Sequence, residues 1–326
     1  MDLSIIIVNW NVKDLLRLCL QSLETWQAQM SPASAPRQPS TEIIVVDCAS
    51  SDGSTDMVRQ EFPQVILVAS DKNLGYAGGN NAGIDEATGR CLLILNPDTQ
   101  IVSDAPTRML AYLDSHPHVG AVGPQLRYAD GSLQSSRRRF PTLGTAFFES
   151  TLLHQWFPNN RQARHYHMVD QPADQPQPVD WVVGAALMVR KKVWDEVGPF
   201  DEAYFMYFEE LDWCRRCRQV GWEVRYLPEA VVVHHEGKSS EQVVAERTIR
   251  FQRSKIRYFA KYFGPTTATA LRLFLLCTFA IQLGEEALKW ALGHKRPLRR
   301  KRLAAYAKVL RSGLRPAGEL LGEKGG

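Results

Sequence analysis

The chain has 326 residues, of which 44% are hydrophobic and 23% charged, and its formal net charge is +4. This apolar fraction is ordinary for a globular protein and allows a sizeable core in one large domain or two smaller ones. The six cysteines do not follow the pattern of a secreted disulfide framework, and the N-terminus shows no signal peptide. We therefore expect the chain to stay in a reducing cytoplasm.

The first hundred residues predict a repeated strand–helix pattern. We predict strands at 3–8, 42–46, 65–69 and 92–95, helices at 13–27, 55–61 and 82–88, and an exposed loop at 31–41. The strands are continuous apolar runs, which is typical of strands that are buried on both faces. The pattern therefore predicts an α/β fold with a mostly parallel sheet flanked by helices.

Polar residues follow three of these strands at their carboxyl ends, where open α/β sheets bind ligands. Asn9 ends the first strand, Asp47 and Asp52 follow the second, and Asn96-Pro97-Asp98 follows the fourth. Asp47 and Asp52 could hold a nucleotide, and Asp98 is a suitable ligand for Mg²⁺ or Mn²⁺. The alternative is that Asp52 and Asp98 only form turns or cap the helices that follow.

A glycine-rich stretch at 73–83 contains Asn73, Gly75, Asn80 and Asn81. Its spacing is not that of the dinucleotide-binding fingerprint. Glycines allow the backbone to approach a ligand closely, and asparagines supply amide donors and acceptors. Taken alone, the stretch is a weak indication of a nucleotide site.

The middle of the chain predicts a helix at 104–115, a strand at 119–122, an exposed loop at 129–142 and a long surface excursion at 150–178 that could act as a lid. The loop carries Arg137-Arg138-Arg139, which is either a solvated face or a contact for a phosphate or charged acceptor. Another apolar stretch follows at 181–189.

The acids Glu209, Glu210 and Asp212 directly follow the aromatic run 204–208. Acids at this place are ordinarily a solvated helix start, but an aromatic wall would raise a carboxyl pKa toward the range of a general base. A last clear strand at 231–233 delivers His234 and His235, either of which could ligate a cation.

The C-terminal region is basic and predicts helices from residue 247 onward. Residues 250–326 hold 17 Lys and Arg against 4 Asp and Glu, a net of +13, which leaves 22 against 31, a net of −9, for the remainder. Such a tail points to an anionic membrane surface or to nucleic acid, which ranks lower because no recognition fold accompanies the charge. The apolar run 271–283 has 13 residues, too few to span a bilayer, so it predicts an interfacial helix or a core helix.

The cysteines predict buried side chains rather than a metal or redox site. Cys19, Cys91 and Cys277 lie in apolar runs and are expected to be small buried hydrophobes. Cys214 and Cys217 form a C-x-x-C without a second pair, so we expect two residues on one face of a helix.

The ordered set of motifs resembles family 2 glycosyltransferases, which have the nucleotide-sugar-binding GT-A fold. The motifs are Ile5 to Trp10, Val46 to Ser54, Asn73 to Asn81 and Asn96-Pro97-Asp98. Gly198 to Glu202, Phe208 to Asp212 and His234 to Ser239 are similar to the rhamnosyltransferase-type branch. The match covers about residues 3–240, and we expect a catalytic domain at 1–246 followed by a basic helical region at 247–326.

The resemblance implies a role for each matching residue. Glu210 falls at the catalytic base, with Glu209 and Asp212 as supporting acids. Asp98 matches the metal-binding acid, with Asn96 beside it and His234 as a further ligand. The nucleotide contacts implied are Asn9, Asp47, Asp52, Asn73, Gly75, Asn80 and Asn81.

The expected function is inverting, metal-dependent transfer of a sugar, rhamnose by the branch resemblance, from a nucleotide diphosphate to a saccharide or polyprenyl-linked acceptor. We expect Mg²⁺ or Mn²⁺ as cofactor and peripheral contact with the inner face of the cell membrane. The alternatives are a nucleotidyltransferase, for which a basic glycine-rich phosphate loop is missing near the N-terminus, and a non-catalytic binding module for nucleotide sugars or nucleic acid.

Overall fold

The computed structural model describes residues 1–29, 39–149, 151–158, 160–235 and 244–315. Most of the predicted loop 31–41 lies outside these residues. Two compact units are formed. The first comprises Met1–Phe140, His167–Phe205 and Glu209–Ser239, and the second comprises Pro141–Tyr166, Met206–Phe208 and Ser240–Gly326.

The strands all belong to the first unit. They are β1 (Leu3–Asn9), β2 (Thr41–Cys48), β3 (Ile66–Ser70), β4 (Cys91–Leu95), β5 (Thr99–Ile101), β6 (Val119–Arg127), β7 (Leu133–Gln134), β8 (Arg137–Arg138), β9 (Gln177–Val179), β10 (Trp181–Val182), β11 (Ala186–Arg190) and β12 (Glu223–His234).

Helices occur in both units. The first unit has α1 (Lys13–Gln29), α2 (Ser54–Glu61), α3 (Gly75–Asp85), α4 (Ala105–Ser115), α8 (Lys191–Val197) and α9 (Glu209–Gln219). The second unit has α5 (Leu143–Phe148), α6 (Leu152–Trp156), α7 (Arg161–Tyr166), α10 (Val244–Phe263), α11 (Pro265–Ala291) and α12 (Arg296–Ser312).

The main sheet has the strand order β3-β2-β1-β4-β11-β6-β12-β5. β1 to β4 run parallel, as the strand–helix repeat predicts, and β6 pairs in parallel with β12. β11 lies antiparallel between β4 and β6. The α/β fold class with a large, mostly parallel sheet is confirmed, and the carboxyl ends of β1, β2 and β4 meet at one edge.

The core explains why the first strands are continuous apolar runs. Every residue of β1 and β4 is buried. Leu16, Leu20 and Leu23 of α1 are also buried, so one face of that helix packs in the core. Strands covered on both faces must be apolar on both sides, so alternation is absent.

The helix predicted at 82–88 is displaced, because α3 begins at Gly75, within the glycine-rich stretch, and ends at Asp85. A Cβ atom on Gly79 would lie 2.6 Å from Val8, and one on Gly83 would lie 2.6 Å from Ile6. Real Cβ atoms do not approach that closely, so the glycines let α3 lie directly on β1. Their low helix propensity, which hid the helix in the sequence, is overridden by this packing.

Four other predictions need correction. The loop at 129–142 contains β7 and β8, and the last strand extends from 223 rather than from 231. Arg137 is buried, because its guanidinium donates to the carbonyls of Gln171 and Pro172 and lies over the Tyr226 ring. Cys277 is exposed, whereas Cys19 and Cys91 are buried as expected.

The second unit confirms that the basic C-terminal region is helical, but the length predicted for its apolar helix is wrong. α11 has 27 residues, and its length and composition are sufficient for a helix that crosses a membrane. About a quarter of its most apolar 18-residue stretch, 28%, is buried inside the protein. The apolar run 271–283 is only the middle of this helix. Its ends are set by Pro265 at the first helical position and by the loop that follows Ala291.

Candidate active site

Asn9 and Asp47 end two neighbouring parallel strands and lie opposite each other in the register. Asn9 Nδ2 donates to Asp47 Oδ1 at 2.7 Å and to the Ser50 hydroxyl at 3.1 Å. The Ser50 N–H donates to the other Asp47 oxygen at 2.9 Å. Asn9 Oδ1 is buried and has no partner among the described residues. The buried Asp47 carboxylate is therefore held rigidly at the sheet edge, beside an unused amide oxygen.

Asp52 joins the starts of two helices. Its Oδ2 accepts from the Lys13 N–H at 2.8 Å, and its Oδ1 accepts from the N–H and the hydroxyl of Ser54 at 3.0 and 2.5 Å. Burial works to raise the pKa of Asp52, but these hydrogen bonds outweigh it and the pKa is lowered. The turn function considered for Asp52 is therefore present, and a nucleotide contact stays a prediction.

The start of α3 is fixed by Asn73 and Gly75. Asn73 Oδ1 accepts from the Gly75 N–H at 2.9 Å. Gly75 has a φ of 73°, and a Cβ atom there would lie 2.3 Å from the Phe205 carbonyl oxygen. Only glycine fits this position, because both the left-handed backbone and the close contact exclude a side chain.

Asn80 and Asn81 differ in how their amides are used. The side-chain amide of Asn81 bonds to the Phe200 backbone twice. Its Nδ2 donates to the Phe200 carbonyl and its Oδ1 accepts from the Phe200 N–H, each at 3.0 Å, and Nδ2 also donates to Glu202 at 3.0 Å. Asn80 Nδ2 donates to the Tyr76 carbonyl at 2.8 Å, whereas its Oδ1 is buried without a partner in the described residues. Asn81 thus ties α3 to a later segment, and only Asn80 keeps an unused polar atom.

Asp98 and His234 face each other in a buried pair, with His234 Nε2 3.3 Å from Asp98 Oδ1. On the other side of the ring, Nδ1 lies 3.0 Å from Oε1 of Gln134, a buried residue of β7. A carboxamide oxygen can only accept, so Nδ1 donates to Gln134, and the ring is held with its Nε2 facing the Asp98 carboxylate. An imidazole nitrogen and a carboxylate oxygen are both ligand atoms for divalent cations. The pair therefore has the donor chemistry of a divalent-cation site.

Other polar atoms lie near this pair in the chain. Asn96 Oδ1 and His235 Nε2 are buried and have no partner in the described residues. His235 meets Asp98 through its backbone, whose N–H donates to the Asp98 carbonyl at 2.9 Å. Among residues 1–29, 39–149, 151–158, 160–235 and 244–315, no three His, Cys, Asp or Glu side chains gather into a metal cluster. Mg²⁺ sites commonly use one or two protein ligands and fill the remainder with substrate phosphates and water.

Glu209 and Glu210 begin α9 in a water-poor environment. Glu210 Oε1 accepts from the Gly184 N–H at 3.3 Å, whereas Oε2 of each glutamate is buried and has no partner within the described part of the chain. Burial raises the pKa of Glu209 well above its ordinary value, and the charge of Glu210 raises it further. Burial also raises the pKa of Glu210, against backbone hydrogen bonds and the nearby Arg138, which lower it. The pair can carry one charge at neutral pH more easily than two.

One short segment connects the glutamates to the Asp98 pair. The Gly184 N–H binds Glu210, and the carbonyl of the next residue, Ala185, accepts from the Asn96 N–H at 2.9 Å. The Tyr76 hydroxyl donates to the Gly184 carbonyl at 2.7 Å. Three segments therefore meet at Gly184 and Ala185: the residues that follow β4, the glycine-rich helix α3 and the start of α9.

Asp212 lies two residues beyond Glu210 in α9. It is fully buried and forms an ion pair with Arg216 at 3.0 Å, four residues further along α9. Arg216 in turn donates to the carbonyls of Val197 and Pro199. Asp212 thus anchors the helix that carries Glu210. Cys214 and Cys217 are buried free thiols of the same helix, as expected.

Sequence reasoning missed three residues of the site: Tyr76, Gln134 and Gly184. Tyr76 stood within the glycine-rich stretch, and its aromatic character among small and amide residues was the available signal. Gln134 and Gly184 gave no local signal, because their partners lie 100 and 26 residues away in the chain.

Comparisons with known proteins agree with this architecture. The profile of "Glycosyl transferase family 2" matches residues 4–194. The N-acetylglucosaminyl-diphospho-decaprenol L-rhamnosyltransferase of Mycobacterium tuberculosis is 30% identical over 249 residues, covering 73% of this chain and 80% of that protein. The low-salt glycan biosynthesis hexosyltransferase Agl10 of Haloferax volcanii is 25% identical, covering 84% of this chain and 82% of the relative.

A solved structure shares the fold. The mannosyltransferase PcManGT from Pyrobaculum calidifontis, in complex with GDP-Man and Mn²⁺, superposes with a TM-score of 0.55 at 18% identity and covers 99% of this chain and 88% of its own. With a family match over more than half of its length, this chain belongs to glycosyl transferase family 2 and is a GT-A glycosyltransferase similar to rhamnosyltransferases.

Proposed function

We propose that this glycosyltransferase inverts the configuration of the transferred sugar, uses a divalent metal, and moves rhamnose from a nucleoside diphosphate to a lipid-linked saccharide. The observation that carries the proposal is the single segment at Gly184 and Ala185, which holds Glu210 on one side and Asn96 on the other. A group that accepts a proton is thereby fixed close to the residues that would hold the donor's diphosphate.

Glu210 is the proposed general base. The acceptor hydroxyl oxygen attacks the anomeric carbon, its proton passes to Glu210 Oε2, and the bond from that carbon to the diphosphate oxygen breaks. One displacement inverts the anomeric centre and needs only one protein carboxylate, unlike the acid–base pair of a glycosidase. Oε2 is the oxygen available for this step, because Oε1 already accepts from Gly184 and Oε2 has no partner in the described residues.

Glu209 supports the base without sharing its charge. Burial and the neighbouring Glu210 both raise the pKa of Glu209, so the neutral acid is favoured. The negative charge then resides on Glu210, whose raised pKa makes it a better proton acceptor than an exposed glutamate.

Asp98 and His234, with Asn96 Oδ1 beside them, are the proposed protein ligands of Mg²⁺ or Mn²⁺. When bound, the ion would neutralise charge that develops on the leaving diphosphate. Gln134 holds the His234 ring so that Nε2 is directed toward Asp98. His234 is preferred to His235, because His235 meets Asp98 only through its backbone N–H in the described contacts.

Asn9, Asp47, Asp52, Asn73, Gly75, Asn80 and Asn81 are proposed to form the nucleotide site. Asn9 and Asn80 are its best-supported direct contacts, since each keeps a buried amide oxygen without a partner in the part of the chain that the structure describes. Buried polar atoms of this kind are costly unless a ligand or water completes them. Asp47 and Asn73 hold the surrounding backbone.

The donor and acceptor follow from the relatives. The mycobacterial relative is named for transferring L-rhamnose to N-acetylglucosaminyl-diphospho-decaprenol. For this chain we propose a deoxythymidine diphosphate rhamnose donor and a polyprenyl-diphosphate-linked saccharide acceptor. All six cysteines are free thiols, which fits an enzyme working at the cytoplasmic face of the cell membrane.

The test is nucleotide release from a panel of nucleotide sugars, with and without a polyprenyl-linked acceptor, in Mn²⁺, Mg²⁺ or chelator. One donor should be turned over, and the chelator, Asp98→Ala and Glu210→Gln should each abolish turnover. Glu86→Gln, at an exposed glutamate, is the matched control and should retain full activity. Absence of both turnover and donor binding across the panel would end the proposal, and an anomeric product with retained configuration would end its inverting step.

A further inference from the structure

One solvent-facing strip of α11 consists of uncharged residues, and the exposed ion pair of Glu285 with Lys289 lies beside it. We call this strip the apolar stripe and define it as Leu273, Cys277, Ile281, Gly284 and Leu288, spaced by three or four residues along one helix face. The exposed fractions of Leu273, Ile281 and Leu288 are 59%, 52% and 63%. Single exposed leucines are common, but a stripe over about four helical turns marks an interaction surface.

The opposite side of α11 is occupied by its own unit. Leu271, Leu275 and Phe279 are buried there. Arg299 of α12 donates twice to the buried Glu286 of α11, at 2.8 Å each. A helix that crossed a bilayer by itself would have to expose this face and its carboxylate to hydrocarbon. The packed inner face therefore favours a helix that lies along a surface, with only the apolar stripe presented to it.

Exposed aromatic and basic residues follow the apolar stripe in the chain, although helix geometry places Trp290 on a different face of α11. Trp290 and Leu292 are exposed beyond its end, and the Arg296 guanidinium lies 5.6 Å from the centre of the Trp290 ring. Exposed cations follow at Lys295, Arg296, Arg300, Lys301 and Arg302. Basic residues that follow the end of an apolar helix face match the interface of an anionic bilayer, where cations meet lipid phosphate.

We propose that α11 lies flat in the interface of an anionic lipid membrane, with the apolar stripe inserted between headgroups and the exposed cations Lys295, Arg296, Arg300 and Lys301 bound to lipid phosphates. The inference rests on the proposed function in one respect, since it would bring the enzyme to a lipid-linked acceptor. Its test needs no catalysis, so the two can fail separately. A second copy of the chain on the same stripe is the alternative that the test must exclude.

The first experiment is sedimentation of the full chain with vesicles of phosphatidylcholine alone or mixed with phosphatidylglycerol. We expect binding to the anionic vesicles and weak binding to the neutral ones. The pair Leu273→Asp with Ile281→Asp and the pair Arg300→Glu with Lys301→Glu should each weaken anionic binding by about tenfold or more. Leu18→Asp and Lys72→Glu, at exposed residues of the first unit, are the matched controls and should bind as the wild type does.

Cys277 provides a second readout within the native sequence. It is the exposed cysteine at the centre of the apolar stripe, and the other five cysteines are buried. A charged maleimide that does not cross membranes should label Cys277 in free protein and fail to label it when anionic vesicles are bound. Alkaline carbonate should release the bound chain, because a flat helix has no segment through the bilayer.

Three outcomes would overturn the proposal. Unchanged labelling of Cys277 on vesicle-bound protein would place the stripe away from the lipid. Resistance to alkaline carbonate would mean that α11 spans the bilayer. Protection of Cys277 without lipid, together with a dimer by analytical ultracentrifugation that Leu273→Asp dissociates, would assign the stripe to a second copy. Thermal unfolding of each variant checks that loss of binding is not loss of fold.

Discussion

The candidate site has two acidic centres, Asp98 and the pair Glu209 and Glu210, which differ in the groups that surround their carboxylates. Asp98 has a neighbouring ring nitrogen, His234 Nε2, which is itself positioned by Gln134. Glu209 and Glu210 lie against each other with an unpartnered oxygen each in the described structure, and burial raises both of their pKa values. Opposite environments suit opposite tasks, since a paired carboxylate binds a cation and a desolvated one accepts a proton. Environment, rather than residue type, therefore separates the two proposed roles.

The strongest test of this difference is Glu210→Gln, which removes the proton acceptor while keeping its size and its contact with Gly184. We expect kcat to fall by about 10²- to 10⁴-fold, the usual contribution of a general base. Donor affinity, measured by calorimetry, should stay within about twofold, because the glutamate is not assigned to the donor.

Glu209→Gln is the paired variant and should lose much less activity, since an amide replaces an acid that is already neutral. Equal losses of kcat in the two variants would contradict the division of roles between them. A loss of donor affinity in Glu210→Gln would instead place Glu210 on the nucleotide side of the site.

The next test asks whether Gln134 positions His234 for metal binding. Gln134→Leu removes the acceptor for His234 Nδ1 and frees the ring to turn or change tautomer. We expect Mn²⁺ affinity, measured by titration calorimetry or by electron paramagnetic resonance of free Mn²⁺, to fall by about 10- to 100-fold. The matched control is Gln125→Leu, at another buried glutamine, which donates to the Tyr226 hydroxyl at 3.1 Å and the Ala173 carbonyl at 3.4 Å and accepts from Arg127 at 2.9 Å.

Equal Mn²⁺ affinity in both glutamine variants and the wild type would show that Gln134 does not position a ligand. Gln134→Glu keeps an oxygen that accepts from Nδ1, so it should preserve binding where leucine does not. A wild type that binds no Mn²⁺ would reject the metal site itself rather than the role of Gln134.

The glutamate pair also predicts a dependence of stability on pH. The pKa of Glu209 in the folded state is raised above its ordinary value of 4.5, so the folded protein holds this proton more tightly than the unfolded chain does. The stabilising contribution is complete below pH 4.5 and is lost as pH rises through the folded pKa. Urea unfolding across this range should show that Glu209→Gln loses less stability with rising pH than the wild type. An identical decline in the two proteins would mean that Glu209 does not hold the proton.

The same glutamates predict the acidic limb of the activity profile. Because the proposed base Glu210 must be ionised to accept a proton and burial raises its pKa, kcat should decline as pH falls, and the decline should begin at a higher pH than an ordinary glutamate would give. The measurement is kcat against pH at saturating donor. A profile that stays flat down to pH 4.5 would contradict the desolvated base.

The sequence predicted the sheet and most polar residues at its edge for one reason. Parallel strands place their carboxyl ends together, so Asn9, Asp47 and Asp98 could be assigned to one region from strand positions alone. The residues that support the site could not be assigned in this way. Gln134 meets His234 across 100 residues of chain, and Tyr76 meets Gly184 across 108. Such contacts depend on how β7 and the segment before β11 are placed, which local patterns do not record.

Local composition gave wrong predictions for two helices, where packing against a neighbouring element determines the structure. The run around Cys277 is apolar, but it occupies both faces of α11 and only one of them is packed. The glycines of α3 disfavour a helix in isolation, yet β1 leaves no room for larger residues. In each case the tertiary neighbour, rather than the local preference, determined the structure.

The smallest expected effect belongs to Tyr76→Phe. This variant tests whether the position of Glu210 can be weakened without a change at the proposed metal ligands. The variant removes only the hydroxyl that donates to the Gly184 carbonyl at 2.7 Å, so the N–H that Gly184 offers to Glu210 becomes less firmly placed. We expect a loss of about 1 kcal/mol in the free energy of unfolding and a fall in kcat of about tenfold or less. Tyr226→Phe removes a hydroxyl that donates to the Ala173 carbonyl at 2.9 Å and accepts from Gln125 at 3.1 Å, so it should cost at least as much stability without the fall in kcat. Mn²⁺ affinity should be unchanged in both variants, because neither hydroxyl is assigned to the metal side. A parallel loss of metal affinity and kcat in Tyr76→Phe would mean that the two acidic centres respond together through the Gly184–Ala185 segment.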